Sequence, residues 1–510
     1  MLKKIRVTLG VVFFAAITLM FLDFTGTLHL WFGWLAKIQF LPAVLALNFV
    51  TVAALLVVTL LFGRIYCSVI CPLGVFQDGV FHLSIGRKKK KQTYSKEKKW
   101  LRYGVLALFI AALIAGIGSI VALIAPYSAW GRICQNIFAP AVQWVNNLLA
   151  ASAEKKGSYA FVTKDIWLRS LPTLIVAATT LIAVIILAWR NGRTWCNTIC
   201  PVGTVLSFFS RFAMFRPMID SSKCKGCRTC ERKCKASCID IDGMTIDYSR
   251  CVDCFDCIEN CRLGALKYRF AWGQYSGKKA TDTPEESASS PAGESADKGR
   301  RAFLIGSAVA LTGASLHAQE DPQDDKKRDG GLADVLPKVA PERTVPVTPF
   351  GSKSVKQFYS RCTACQLCVS ACPNDVLRPS RDLRRLMQVE MSYEKGYCRP
   401  ECVKCSEVCP AGAIMKITPE EKTSWKVGTA TVNLDICLAD SKGISCGNCA
   451  RHCPVGAIQM VKKNPEDDHS PMIPAVVEEM CIGCGACENL CPVRPISAIT
   501  VNGCEVHHNN

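Results

Sequence analysis

Four long apolar segments occupy the first part of the chain, at residues 7–22, 42–63, 101–125 and 171–189. A helix needs about 20 mainly apolar residues to cross a bilayer, so each segment predicts a membrane-spanning helix. The first segment has the alternative interpretation of a cleaved signal peptide. Residues 23–26 (Asp-Phe-Thr-Gly) offer no good small-residue cleavage site, so a retained helix is favoured. The pattern predicts a four-helix membrane domain over residues 1–212.

Basic residues predict the orientation of these helices. The loop after the second segment carries Arg64, Arg87, Lys96 and the lysine run 88–91. Because short basic loops stay on the cytoplasmic side, this loop and the N-terminus are expected inside. Apolar residues between the third and fourth segments recur at helical spacing and predict an amphipathic helix on the outer surface. They are Ile133, Ile137, Phe138, Val145, Leu148 and Leu149.

A fifth apolar run follows the pair Arg300 and Arg301 and ends at Ala318. Paired arginines, a short apolar segment and a small final residue resemble a twin-arginine export signal, which carries folded, cofactor-loaded domains across a membrane. The alternative is an ordinary transmembrane helix with basic flanks. Either interpretation places a signal or anchor helix at residues 299–318, between linkers at 271–298 and 319–350. We therefore expect the two cysteine-rich halves on opposite sides of a membrane.

The cysteine content points to metal binding. The chain has 31 cysteines in 510 residues and a formal net charge of +19. Disulfide scaffolds are short secreted domains, whereas most of these cysteines fall in tight, repeated spacings. A cubane cluster with four thiolate ligands contributes roughly −2, so six clusters would cancel about 12 positive charges. The basic balance therefore needs no nucleic-acid partner.

One sequence repeat follows the second and fourth apolar segments. Residues 63–74 and 192–203 share the frame Gly-Arg-x-aromatic-Cys-x-x-x-Cys-Pro-x-Gly, with Cys67 and Cys71 in one copy and Cys196 and Cys200 in the other. Two thiols one helical turn apart lie on one face of a helix. Three interpretations stay open: structural thiols, a dithiol redox pair, or one four-thiolate site shared by both copies.

Residues 213–270 contain two cysteine quartets of the bacterial two-cluster type, in which the fourth cysteine of each quartet ligates the neighbouring cluster. The spacing predicts one [4Fe-4S] cluster on the first triplet plus Cys261 and another on the second triplet plus Cys234. Zinc is disfavoured because its ligands come as two separated pairs. The quartets are Cys224, Cys227, Cys230, Cys234 and Cys251, Cys254, Cys257, Cys261. This segment is predicted to be a cytoplasmic ferredoxin-like module, the first module below.

Residues 351–510 contain four further quartets, each ending in Cys-Pro, and form the second module. The quartets predict α+β ferredoxin-like folds with four more clusters, six in all, and leave sequential and nested pairing both open. Cys134, Cys238 and Cys504 stay unassigned, and no catalytic constellation, haem-attachment motif or nucleotide motif is found. The quartets are Cys362, Cys365, Cys368, Cys372; Cys398, Cys402, Cys405, Cys409; Cys437, Cys446, Cys449, Cys453; and Cys481, Cys484, Cys487, Cys491.

The membrane segments, the Cys-x-x-x-Cys-Pro repeat and the first module resemble the NapH/MauN family of membrane ferredoxin-type proteins. The paired arginines and the four-quartet module resemble the NapG/MauM family of exported ferredoxin-type proteins, so the chain is similar to a fusion of the two. The resemblance implies a multi-pass protein of the bacterial inner membrane with a periplasmic C-terminal module. It also implies electron transfer from the quinol pool to a periplasmic cytochrome or reductase, of nitrate or nitrous oxide type.

Such a protein would be the electron-transfer component of a quinol dehydrogenase, and the sequence leaves open whether it is itself an enzyme. The alternative function is an accessory role in maturing or reactivating a periplasmic metalloenzyme. A quinone site has only two weak candidates in the sequence, Asp23 and His29.

Overall fold

The structure is a computed structural model that describes residues 1–23, 26–85, 92–158, 161–271, 336–467 and 470–509. The predicted signal or anchor helix at 299–318, the linker before it and most of the linker after it lie outside the described residues. The N-terminal residues and the second module form one compact unit.

The predicted membrane domain is helical over most of its described residues. Its helices are α1 (Leu2–Leu22), α2 (Thr27–Phe32), α3 (Trp34–Lys37), α4 (Phe40–Leu45), α5 (Phe49–Phe62), α6 (Ile65–Val69), α7 (Pro72–Ile85), α8 (Lys99–Ile114), α9 (Gly118–Ile124), α10 (Pro126–Ile133), α11 (Ala139–Glu154), α12 (Leu171–Asn191), α13 (Thr194–Thr198) and α14 (Pro201–Ser210), with a π-helical turn at Cys134–Phe138 between α10 and α11.

Among the described residues, two helices are long and apolar enough to cross a membrane, α1 and α12. The other two predicted spans are interrupted. In one, Leu47 has a positive φ of 56° and the Asn48 side chain caps the next helix by accepting a hydrogen bond from the Thr51 amide. In the other, Gly116 has a φ of 71° between α8 and α9. A left-handed residue ends the run of helical hydrogen bonds, so two of the four predicted spans are each two helices.

Trp130 is the centre of packing between α1, α7 and the π-helical turn. Its side chain is completely buried, and its ring centroid lies 5.0 Å from that of Phe14, 5.2 Å from that of Phe76 and 5.9 Å from that of Phe138. Large aromatic side chains contribute much buried apolar surface at such a junction. The segment predicted to be an amphipathic helix is helical over its length. Its first residue, Ile133, is buried, while Val145, Leu148 and Leu149 near its end are exposed.

The two modules are built from short antiparallel ribbons and single-turn helices. In the first module β1 pairs with β4 and β2 with β3; in the second, β5 pairs with β6, β7 with β10, and β8 with β9. The first comprises β1 (Phe215–Ile219), α15 (Thr229–Arg232), β2 (Ile239–Asp240), β3 (Thr245–Ile246), α16 (Asp256–Glu259) and β4 (Leu266–Phe270). The second comprises α17 (Val355–Arg361), α18 (Leu367–Ala371), β5 (Leu377–Pro379), β6 (Val389–Met391), α19 (Lys404–Val408), α20 (Pro419–Ser424), β7 (Trp425–Val432), α21 (Leu438–Ser441), α22 (Asn448–Arg451), β8 (Ile458–Lys462), β9 (Met472–Val476), α23 (Ala486–Leu490) and β10 (Ile499–Asn509), with 3-10 turns at Leu383–Arg385 and Leu434–Ile436.

The two modules contact opposite ends of the long helices. At the start of α1, Lys3 pairs with Asp256 of the first module at 3.2 Å. Just before the start of α12, Arg169 pairs with Asp375 of the second module at 2.9 Å. The two helices are antiparallel, and each has 21 residues. At a rise of 1.5 Å per residue such a helix is about 32 Å long, close to the thickness of the hydrocarbon core of a bilayer.

Candidate iron–sulfur centres

Two cavities in the first module are lined by cysteines. One contains Cys224, Cys227, Cys230 and Cys261; the other contains Cys234, Cys251, Cys254 and Cys257. The fourth cysteine of each quartet therefore lies in the cavity of the other quartet, which is the grouping that exchanged ligation requires. Each cavity thus brings four or five thiols together, as a multi-iron cluster requires.

A shared backbone conformation wraps four cysteine triplets. The residues on both sides of the second cysteine have positive φ, a region that non-glycine residues enter at a cost of about 1–2 kcal/mol each. These residues are Gly226 and Arg228, Asp253 and Phe255, Ala364 and Gln366, and Gly483 and Gly485. Strain of this kind persists where the surrounding structure enforces it and clusters at binding sites. The four triplets thus adopt the same turn whether the residues that flank the second cysteine are glycines or not.

Cys238, which the sequence left unassigned, lies in the cavity of the second triplet. Its Sγ is 3.5 Å from the Sγ of Cys234. The hydrogen bond from the Cys238 thiol lowers the pKa of Cys234 to about 7 and holds the pKa of Cys238 itself above its ordinary value. In the sequence, only its position four residues after Cys234 pointed to a place in this cavity.

The quartets of the second module pair in sequence order. Cys372 lines one cavity together with Cys398, Cys402 and Cys405 of the next quartet. In return, Cys409 lies beside the first triplet: the pKa of Cys365 is raised to about 12, mainly by burial and in smaller part by the nearby Cys409. The third and fourth quartets are joined in the same way, since Cys453 raises the pKa of Cys484 after the larger effect of burial. The choice between sequential and nested pairing could not be made from spacing.

No three His, Cys, Asp or Glu side chains within the described ranges converge closely enough to hold a single metal ion. The cysteine cavities instead bring together four or five thiols that do not share one ion position. Such an arrangement suits a multi-iron cluster, whose cysteine ligands bind different iron atoms.

The four cysteines of the repeat lie together, in or just after α6 and α13, beside the first module. All four are buried, with exposed fractions of 3% to 5%. Burial raises the pKa of Cys71, and the Cys196 and Cys67 thiolates raise it further. Burial likewise raises the pKa of Cys200, followed by the effects of Cys196, Cys71 and Cys67. The structure therefore brings the two copies of the repeat to one place.

A third feature is a cavity between the end of α1 and the second module, called the Asp23 cavity here. It has about 760 Å³ of space, part of which is open to solvent. Apolar side chains and polar groups both line it: Phe21, Leu22, Asp23, Gln135, Asn136, Ala139, Pro140, Gln143, Lys164, Asp165, Trp167, Leu168, Arg169, Ser370, Cys372 and Asp375. A predicted cluster ligand, Cys372, thus shares a cavity with a carboxylate at the end of a long apolar helix.

Hydrogen bonds hold the carboxylate of Asp23 in position. It accepts from the backbone amides of Gly26 at 3.0 Å and Leu28 at 2.7 Å. His29 Nδ1 lies 3.1 Å from Asp23 Oδ2, and both side chains are buried. Burial lowers the pKa of His29, against an opposing effect of Asp23. The two weak sequence candidates for a quinone site therefore form one pair, with Asp23 facing the cavity.

Three family models for iron–sulfur domains match four segments of the chain. A 4Fe-4S binding domain matches residues 44–92 and 173–218, which contain both copies of the repeat. A 4Fe-4S dicluster domain matches residues 442–494, and another 4Fe-4S binding domain matches residues 355–378, both in the second module. No solved structure matches this chain significantly.

Curated relatives carry ferredoxin-type names. The methylamine utilization ferredoxin-type protein MauM of Paracoccus denitrificans is 28% identical over 185 residues, 34% of this chain and 82% of the relative. The ferredoxin-type protein NapG of Escherichia coli is 29% identical over 148 residues, 27% of this chain and 63% of the relative. The methylamine utilization ferredoxin-type protein MauN of Methylobacillus flagellatus is 27% identical over 219 residues, 42% of this chain and 64% of the relative.

The chain spans about half to two thirds of the length of the first curated relatives it matches, 54% of one and 66% of another. These matches confirm the resemblance seen in the cysteine motifs: the chain contains 4Fe-4S ferredoxin-type domains and is related to the MauM, MauN and NapG ferredoxin-type proteins.

Proposed function

We propose that this protein oxidises a quinol at the Asp23 cavity and passes the electrons through the second module to a periplasmic cytochrome or reductase. The observation that carries the proposal is that Asp23 and Cys372 line one cavity at an end of the membrane helices. Quinol oxidation releases two protons and two electrons, so it needs a proton acceptor and an electron acceptor beside the same ring. An acceptor of the nitrate or nitrous oxide reductase type is the expectation from the family resemblance.

The proposal includes six [4Fe-4S] clusters on the 24 cysteines of the six quartets. The residues fit this cofactor because the fourth cysteine of a quartet lies with the triplet of its neighbour in both modules. When bound, such a cluster takes up or gives away one electron at a time. All four cysteines of the last quartet, Cys481 to Cys491, are buried, which shields that site from water.

Asp23 would take the proton from the quinol hydroxyl. Its carboxylate is oriented by two backbone amides and by His29, so one hydrogen-bonded pair can hold and pass on the proton. The lowered pKa of His29 keeps the imidazole neutral at neutral pH and able to accept a proton through Asp23. Trp167 and Phe21 supply the apolar walls that a quinone ring would contact.

The proposed topology places the first module in the cytoplasm and the second module in the periplasm. Support comes from the contacts of the modules with opposite ends of α1 and α12 and from the basic residues of the loop after α7. The Asp23 cavity would then lie at the outer surface of the membrane. A quinol could reach it from the lipid phase, and its protons would be released outside.

Asp23→Asn tests the proposal, because the amide keeps the shape of the side chain but cannot accept a proton. We expect the rate at which a water-soluble quinol reduces the clusters of anaerobically purified protein to fall about 10²- to 10⁴-fold, the usual contribution of a positioned base. Reduction by dithionite should keep its rate, since it needs no proton acceptor in the cavity.

Glu154→Gln is the matched control. Glu154 ends α11, whose first residues line the cavity, and does not itself line it. The clusters of the Glu154→Gln variant should be reduced by quinol at the rate seen in the unmodified protein. Equal quinol rates for Asp23→Asn and Glu154→Gln would refute the assignment of the Asp23 cavity, and absence of quinol-driven reduction in the unmodified protein would refute the function.

A further inference from the structure

The two candidate cluster sites of the first module differ in their surroundings. The covered site is the cavity of the second triplet, and the open site is the cavity lined by Cys224, Cys227, Cys230 and Cys261. At the covered site, the carboxylate of Asp253 accepts a hydrogen bond from the Arg64 amide at 2.9 Å. Lys235, next to the ligand Cys234, lies 3.5 Å from Asp78 of α7. The helical domain therefore packs against the covered site.

The open site reaches the protein surface. Of the cysteines in the described part of the chain, Cys227 alone is exposed. Leu263, which lines the same cavity, is 43% exposed. Proteins that exchange electrons form small, transient interfaces, so an exposed ligand with an apolar neighbour is sufficient for such a contact. The first module thus has one site that a second protein can approach and one site that faces the helices.

Basic side chains surround the open site. Lys225 and Arg228 line its cavity, and Arg262 directly follows the ligand Cys261. All three basic residues are exposed. Like charges grouped around a cavity produce a positive potential there, which attracts negatively charged partners.

Arg232 belongs to the same surface. It ends α15, the helix that contains Cys230, and it is exposed. The pKa of the Cys227 thiol is lowered, mainly by hydrogen bonding to Thr229 and in smaller part by the positive charge of Arg232. The guanidinium of Arg232 therefore lies near the exposed cysteine.

Most of these charges are not neutralised by neighbouring carboxylates. Arg228 forms an ion pair with Asp242. Lys225, Arg232 and Arg262 form no ion pair with any described residue. A bias towards basic residues in cytoplasmic segments accounts for the sign of these charges and leaves their placement around the open site to be explained.

We propose that this surface docks a soluble one-electron carrier protein whose own surface is acidic, on the side of the membrane where the first module lies. Opposite charges steer such a partner to the exposed ligand, and Leu263 adds an apolar contact. One electron leaves the reduced carrier, which is oxidised, and reduces the [4Fe-4S] cluster of the open site from the 2+ to the 1+ state. No bond is formed or broken, and no proton is transferred. The open-site surface consists of Lys225, Cys227, Arg228, Arg232, Arg262 and Leu263.

The inference goes beyond the proposed function, because it gives the first module an electron donor of its own. It rests on that function for the presence of the clusters and for the outward direction of electron flow. The exchanged ligands Cys234 and Cys261 link the two sites of the module. An electron that enters at the open site therefore continues to the covered site beside the helices.

The first experiment measures docking, with an acidic flavodoxin as the probe. Its binding to the immobilised full chain, purified anaerobically in detergent, is followed by surface plasmon resonance. Binding should weaken steeply between about 0.01 M and about 1 M salt, over which the Debye length falls from about 30 Å to about 3 Å. At low salt, the double variant Arg232→Glu, Arg262→Glu should bind at least about 10-fold more weakly, mainly through slower association.

The second experiment measures the electron step. Flavodoxin in its two-electron-reduced form is mixed with oxidised full chain in a stopped-flow instrument, and the absorbance of one-electron-oxidised flavodoxin is followed. At low salt, the rate for Arg232→Glu, Arg262→Glu should be at least about 10-fold lower than that for the unmodified protein. At high salt the two rates should converge, because the charges are then screened.

The matched control is the double variant Lys155→Glu, Lys156→Glu. Both lysines are exposed and directly follow α11, whose first residues line the Asp23 cavity. This variant changes the net charge of the chain by the same amount and should bind flavodoxin like the unmodified protein. Arg232 and Arg262 do not line the Asp23 cavity, so their variant should keep its iron content and its rate of quinol-driven reduction. Loss of docking alone would therefore leave the proposed function standing.

Three results would overturn the docking surface: absence of salt-dependent flavodoxin binding to the unmodified protein, unchanged binding in Arg232→Glu, Arg262→Glu, or an equal loss in the control. Binding of phosphatidylglycerol vesicles that depends on the two arginines, without binding of flavodoxin, would assign the surface to anionic lipid and overturn the proposal as well. If the charge-reversal variant does not accumulate, Arg232→Gln, Arg262→Gln takes its place. It removes half as much charge and should weaken binding at least about 3-fold, and unchanged binding would again refute the proposal.

Discussion

Gly485 lies at a position where a methyl group should disrupt the fourth quartet. Its φ is +78°, and an added Cβ would lie 2.2 Å from the ring of Tyr393. Tyr393 is completely buried, and its hydroxyl donates to the Gly483 carbonyl at 2.6 Å. Gly485→Ala therefore introduces backbone strain of about 1–2 kcal/mol, overpacking of about 1–3 kcal/mol and loss of a hydrogen bond of about 1 kcal/mol.

The expected destabilisation of the second module is therefore about 3–6 kcal/mol. Gly456→Ala is the matched control, because Gly456 has a φ of +67° and no atom within 4 Å of an added Cβ; it should cost only the strain. The assay follows iron release from anaerobic protein as guanidinium is raised. Gly485→Ala should release a first fraction of its iron at a clearly lower concentration than Gly456→Ala. Coincident release curves would show that Tyr393 does not confine Gly485.

Three other predictions concern proton transfer, ligand exchange and topology. Because the pKa of His29 is lowered, its imidazole is neutral at neutral pH. The rate of quinol-driven reduction should therefore be constant at neutral pH and fall as the pH drops through a value below the ordinary 6.5. A fall in rate that begins above pH 6.5 would contradict this. Cys261→Ser should alter the EPR signal of the cluster on Cys224, Cys227 and Cys230, and a change confined to the second triplet would contradict the exchange. Reporter fusions at Gln274 and Asn510 of the unmodified protein should report opposite compartments, and the same compartment for both would contradict the topology. The double variant Arg300→Lys, Arg301→Lys should retain the second module inside the cell, and normal export of that variant would contradict the twin-arginine interpretation.

The sequence alone was sufficient to group cluster ligands that lie close together in the chain. The two-residue gaps of the triplets confine three thiols to one loop, so grouping Cys224, Cys227 and Cys230 needed no knowledge of the fold. The Asp23 cavity could not be predicted in this way, because Asp23 and Cys372 are far apart in sequence and meet only when the second module packs on α1. Helix interruptions were also missed, since an apolar run around Leu47 hides a single left-handed residue.

The repeat shows how the first module is attached to α5 and α12. Gly63 ends α5 and Gly192 ends α12, each with a positive φ. A Cβ on Gly63 would lie 2.2 Å from Asp253, and one on Gly192 would lie 2.3 Å from the Lys235 carbonyl oxygen. Both contact residues adjoin cysteines of the same cavity, Cys254 and Cys234. The C-terminal ends of α5 and α12 therefore hold one candidate cluster site from both sides, and movement of either helix end would displace a ligand loop.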